Sequence, residues 1–241
     1  MISVYGKHPS FGDFISHGVS PRFQSEVIPW IGQIMSQTRD YLGHGWDNVY
    51  DTALPLRFWI GSDVFDQFSM RGVLYCSRDK VGRRYPLIII EQGRGLPMPL
   101  IAVKQGFYET LEARLIEVTS NTIGSANEII TDIGINCDLA DKTATDNEQT
   151  SFWAANPDPE VNHLLEAVGA TDQQHAAAGR SYWWTAGRNA RASTFLAAQG
   201  IPNAAEMAWL LSGVAADGLQ QSEPEDDTGV DGSRMENLSN D

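Results

Sequence analysis

The chain has 241 residues, 42% hydrophobic and 10% aromatic, enough for one large domain or two small ones around a sizeable core. Seventeen basic residues against 31 acidic ones leave a net charge of −14, which argues against nucleic-acid backbones and anionic membrane surfaces as default partners. Two distant cysteines, Cys76 and Cys137, give neither a disulfide framework nor a zinc-ligand spacing. With no secretory leader and no apolar run near the ~18–20 residues of a membrane span, the expected setting is soluble and cytoplasmic.

Taken in chain order, Ile2–Tyr5 reads as a strand followed by a loop through Gly12. Ser20-Pro21 is a helix-start signal, a cap oxygen followed by a residue with fixed φ. Apolar residues from Phe23 to Leu42 recur at helical spacing. Pro29 removes one backbone donor, so the helix proper is expected from Pro29 to Leu42 with a break before it. A short helical turn at Gly45–Tyr50 precedes strands at Leu56–Ile60, Gly72–Cys76 and Pro86–Ile90. The last of these is nearly all apolar and β-branched, the pattern of a strand buried on both faces.

Gly93 to Pro99 is punctuated as a loop, and Phe107 to Val118 is an amphipathic helix. Residues 138–151 are polar enough for a surface loop. Pro159–Ala178 reads as helix, Tyr182–Thr185 as strand and Pro202–Leu211 as a last helix. These elements predict a single α/β domain over residues 1–217, with helices on both faces of a mixed sheet. Residues 218–241 should form an acidic disordered tail; from Leu219 onward one arginine faces seven acidic residues.

Two segments carry candidate chemistry. The first packs Gly6, Lys7, His8, Pro9, Ser10, Gly12 and Asp13 into eight positions. A phosphate cradle closes its loop with Gly-Lys-Ser/Thr at a helix start, whereas here Gly6-Lys7 opens the loop and Pro9 lacks a backbone donor. A serine hydrolase using Ser10 with His8 or His17 and Asp13 is the sharper alternative, but no strand–GxSxG–helix elbow is present. The structural reading fits better: Ser10 and Asp13 bonding to backbone, Pro9 fixing a turn, Gly12 at positive φ.

The second segment, Ser77–Pro86, concentrates Arg78, Lys80, Arg83 and Arg84 between two strands. Arginine forks suit carboxylate or phosphate groups, which makes this a docking patch for an acidic or phosphorylated surface. The competing reading is intramolecular, with Arg83 or Lys80 pinned to Asp79, Asp13 or another acid. Lys80, Arg83 and Arg84 are the candidate partner-facing charges, with Lys7 and Asp13 as surface contributors. Neighbouring strand residues face opposite sides, so of Trp183 and Trp184 one enters the core while the other covers a helix or stays at the surface. The five histidines show no metal-ligand spacing, and no metal or cofactor is expected.

In order along residues 1–211 the pieces resemble the TagF (ImpM) family of type VI secretion accessory proteins. Gly6-Lys7-His8-Pro9-Ser10-Phe11-Gly12-Asp13-Phe14 is similar to its "GK-x-PS-x-GDF" opening, and Pro55-Leu56-Arg57-Phe58 to "P-x-WRF", with Leu56 in place of Trp. The run from Gly72 to Leu87 is similar to a motif ending "D-x-VGR-x-FPL", with Cys76 for proline and Arg78 for an apolar residue. Ser181-Tyr182-Trp183-Trp184-Thr185-Ala186-Gly187 resembles "WW-x-x-G" and Gly200-Ile201-Pro202 resembles "GLP". The resemblance implies an α/β/α sandwich around a largely antiparallel sheet. It also implies a non-enzymatic cytoplasmic repressor that binds a forkhead-associated scaffold protein. Gly6, Pro9, Ser10, Gly12, Arg57, Trp183 and Trp184 would then be architectural. A structural subunit of the secretion apparatus is the other non-catalytic alternative; oligomeric state is open.

Overall fold

The computed structural model describes residues 2–65, 68–131, 161–188 and 190–214. The polar stretch at 138–151 and the acidic tail at 218–241 lie outside them. Seven strands form one sheet: β1 (Ile2–Gly6), β2 (Ile15–His17), β3 (Leu56–Ile60), β4 (Ser69–Tyr75), β5 (Leu87–Gly93), β6 (Arg180–Thr185) and β7 (Thr194–Gln199). Their order is β2-β1-β5-β4-β3-β6-β7, and all six pairings are antiparallel. The largely antiparallel sheet is therefore antiparallel throughout, with no parallel crossover pair among the described residues.

Each face of the sheet carries its own core. On one side Phe58, Ile60, Leu74, Ile88, Ile90 and Trp183 pack against α1 (Ile28–Leu42), α2 (Trp46–Thr52) and α6 (Ala204–Ser212). On the other, Val4, Trp59, Val73, Leu87, Ile89 and Trp184 meet α3 (Gly106–Ser120) and α4 (Ala126–Thr131). α5 is the helix Val161–Ala176. β5 alternates Leu87 and Ile89 to one core with Ile88 and Ile90 to the other, which is why its sequence is apolar without a period of two. Trp183 and Trp184 point into opposite cores, and both are buried.

Pro29 does not break the helical run, which is continuous over residues 21–42; the hydrogen-bond pattern before it changes instead. A π-helical turn at Phe23–Val27 comes first, with the Ser20 hydroxyl accepting the Phe23 N–H at 3.2 Å. α1 follows directly, with Pro29 in its first turn. α6 begins with a capping box. Asn203 accepts the Ala205 and Glu206 amides, and Glu206 reaches back to the Asn203 N–H at 2.8 Å. Three elements go unmarked in the sequence. β2 is only three residues long, β7 (TFLAAQ) has weak strand propensity and exists through its register with β6, and α4 is a helix of six residues. Among the described residues no helix is long and apolar enough to cross a membrane.

Candidate functional site: two loops joined through Asp79

β1 delivers the opening loop beside the hairpin between β4 and β5. Gly6 ends β1 at φ +138°, paired on one side with Ile15 and on the other with Leu87. Lys7 follows and is buried; its ammonium meets Asp79 Oδ2 at 2.9 Å. Its expected role at the surface is therefore corrected: the side chain is turned inward as one half of a buried ion pair. Asp79 sits at the centre of a small nest. Oδ1 accepts the Val81 and Arg83 amides at 3.0 and 2.8 Å, and Oδ2 also accepts Arg83 Nε at 2.6 Å. Burial would push its pKa up, but the Lys7 and Arg83 hydrogen bonds outweigh that and hold the carboxyl well below the usual range.

The arginines of the hairpin are largely spoken for. Arg83 also donates to the Gly12 carbonyl. Arg84 grips Asp51 of α2 with a two-bond fork at 2.9 and 2.8 Å and reaches Asp47 at 2.9 Å, while Arg78 meets Asp51 at 2.6 Å. The Arg84 fork, seconded by Arg78, keeps Asp51 below the ordinary carboxylate range. The Tyr50 hydroxyl closes the hairpin's base, donating to the Ser77 carbonyl at 2.9 Å and accepting its N–H at 3.2 Å. For Arg83 and Arg84 the intramolecular reading thus describes the contacts. Lys80 and Asp13 are exposed, and neither side chain has an ion pair among the described residues.

The polar residues of the opening loop bond to backbone. His8 is fully buried. Its Nε2 donates to the Val118 carbonyl at 2.7 Å and its Nδ1 accepts the Ser10 N–H at 3.0 Å, so the neutral Nε2–H tautomer satisfies both ends. The Ser10 hydroxyl accepts the Ile123 N–H at 3.1 Å, and His17 lies exposed on β2. The hydroxyl–imidazole bond that a Ser10 hydrolase requires is not what joins Ser10 and His8; the backbone amide is. Gly12 does not take positive φ. Gly6 and Gly82 do, and Gly12 contributes its carbonyl to Arg83 instead. Val118 and Ile123 also line a cleft of about 210 Å³ with Arg114, Glu117, Asn121, Glu128 and Thr131, below the ~300 Å³ from which small-ligand pockets start. No three His, Cys, Asp or Glu side chains among the described residues are grouped to hold a metal ion.

Burial lowers the His8 pKa from its ordinary 6.5, with the Val118 bond opposing the shift. The unfolded chain then takes up a proton near pH 6.5 that the folded chain refuses. Stability contributed by neutral His8 is complete above that pH and is lost as pH falls below it. Urea midpoints measured from pH 7.5 to 5 should drop more for the native chain than for His8→Gln; parallel slopes would refute the assignment.

Arg57 of β3 is a second buried node, on the α3 side. Nε donates to Glu112 Oε2 at 2.9 Å, Nη2 to the same oxygen, and Nη1 to Gln105 Oε1 at 3.0 Å. Arg188 closes on the other Glu112 oxygen, and Trp184 Nε1 donates to Gln105 Oε1 at 3.0 Å. Sequence reading left out Glu112, Gln105 and Tyr50, because nothing local marks a partner 27, 48 or 55 residues away. It also left out the exposure of Phe14 (46%) and Val81 (70%), which flank the Lys7–Asp79 pair.

The fold and site together define an α/β/α protein whose two motif loops are fused into one charged surface feature. Residues 3–128, more than half of the chain, match the model of the TagF N-terminal domain, type VI secretion system-associated, and the chain belongs to that family. Among solved structures it is similar to the crystal structure of PA0076 from Pseudomonas aeruginosa PAO1, with a TM-score of 0.66 and 24% identity over 93% of this chain and 97% of that one. That likeness is one of fold. No curated protein matches the sequence.

Proposed function

We propose that the protein is a cytoplasmic, non-enzymatic repressor of type VI secretion that acts after translation by binding a forkhead-associated scaffold protein of the apparatus. The observation that carries this reading is the match to a type VI secretion-associated family over residues 3–128, which takes in both motif loops. The geometry supports binding over catalysis. Ser10 and His8 are spent on backbone groups deep in the loop, while the loops' outer side presents Lys80, Asp13, Phe14 and Val81.

The test is calorimetry of the purified chain against the purified forkhead-associated protein of the same organism's type VI system. It is paired with effector release from cells lacking this chain. Binding at micromolar Kd or tighter, together with increased release, is the expected result. Absence of binding with unchanged release would sink the reading. Arg83→Glu and Arg84→Glu are poor probes, because they place a carboxylate against Asp79 or Asp51 and disturb the loops themselves.

A further inference from the structure

The structure assigns a docking surface to the platform made by the two loops, and we infer that its occupant is a short, unphosphorylated acidic segment of the partner protein in which a carboxylate neighbours an apolar side chain. This deepens the repressor reading and rests on it. Residues far apart in sequence are locked together here. Lys7 meets Asp79, the Lys80 N–H donates to the Phe11 carbonyl at 2.8 Å, and Arg83 caps the Gly12 carbonyl. Phe14 is exposed yet held. It stacks on Tyr5 at 5.4 Å and 9°, meets Tyr85 edge-on at 4.8 Å, and has Lys7 Nζ 5.2 Å from its ring centre. A pre-ordered exposed aromatic loses little entropy on docking, which separates an anchor from an ordinary exposed apolar residue.

Charge selects the occupant. Asp79 is a single carboxylate shared by two cations, Lys7 and Arg83, which leaves a surplus of one positive charge. Lys80 adds another, exposed and without an ion pair among the described residues, and Asp13 takes one away. The platform is thus locally positive on a chain of net charge −14, a setting that steers an acidic segment to this spot and turns others away. One carboxylate matches that surplus. A phosphoryl group near −2 would call on Arg78 and Arg84 as well, and both are already engaged by Asp51.

The experiment is a nitrogen-15 NMR titration of the full chain with three peptides: one alternating Glu and Leu, its Gln analogue, and its phosphoserine analogue. The expected result is shifts confined to the amides of Phe14, Lys80, Val81 and their neighbours with the Glu peptide. Phe14→Ser and Lys80→Glu should each weaken binding at least ~10-fold. Equal response to the Gln analogue, tighter binding of the phosphoserine peptide, or shifts elsewhere would overturn the assignment. Tighter binding after removal of residues 218–241 would make the chain's own acidic tail the occupant and also overturn it. The same variants are then measured against the forkhead-associated scaffold. If the native chain and both variants bind it equally, the platform assignment falls and the repressor reading stands. If the native chain does not bind it, the repressor reading falls and the peptide titration alone decides the platform.

Discussion

Glu112→Gln should destabilise the protein by ~3–5 kcal/mol, among the largest effects available to a single substitution here. Glu112 is buried in the middle of α3 and answers two guanidiniums, Arg57 through Oε2 and Arg188 through Oε1. The amide keeps the shape and one acceptor oxygen but removes the charge and turns its NH2 toward one of the two guanidiniums, which leaves Arg57, buried at 5% exposure, with no carboxylate partner and Arg188 beside it. Arg57→Met should cost less, because Glu112 keeps Arg188, whose side chain is 36% exposed and partly hydrated, and because methionine fills the vacated space. The expected order, Glu112→Gln worse than Arg57→Met, is read from urea midpoints at constant m-value. The reverse order would show that Arg188 does not compensate Glu112. The melting temperature of Glu112→Gln should fall by roughly 10 °C.

The sequence makes the strands and helices legible where one local signal coincides with burial, and it hides whatever depends on a remote partner. Leu56–Ile60 and the apolar run ending at Ile90 read as strands because β-branched and aromatic residues meet two cores at once. Ser20-Pro21 and Pro29 mark the start of the first helix and the end of its π-helical turn because capping and the missing proline donor act within one turn, although the expected break is absent. β7 is illegible for the opposite reason: Ala197, Ala198 and Gln199 are extended only because β6 lies beside them. At the site, the opening motif and the basic hairpin are both visible as clusters of unusual residues. Their union is not, because it runs through Lys7 to Asp79, 72 positions apart, and through backbone carbonyls that carry no sequence signature. That same long-range pairing turns Lys7 inward and leaves Lys80 exposed, without an ion pair among the described residues.

Gly6→Ala and Gly12→Ala, six positions apart in one motif, should differ by at least ~3 kcal/mol in stability. At Gly6 the backbone sits at φ +138°, and an added Cβ would lie 2.0 Å from the Pro86 carbonyl oxygen and 2.8 Å from the Leu87 Cα. These are main-chain atoms of the flanking strand, so no rotamer change relieves the contact; β1 would have to pull away from β5. Lys7 is the next residue, and the movement would drag its ammonium from Asp79 and loosen both loops together. At Gly12 nothing lies within 4 Å of where an added methyl would sit and φ is not positive, so alanine should change stability by no more than ~0.5 kcal/mol. Denaturant unfolding of the two variants measures the difference. For the proposed scaffold binding the same contrast is expected: Gly12→Ala should match the native chain, whereas Gly6→Ala should bind weakly even below its melting temperature, because its loops no longer share Asp79. Equal stability of the two alanine variants would mean that β1 accommodates a side chain at Gly6, and the close β1–β5 approach would then not be what sets the loop.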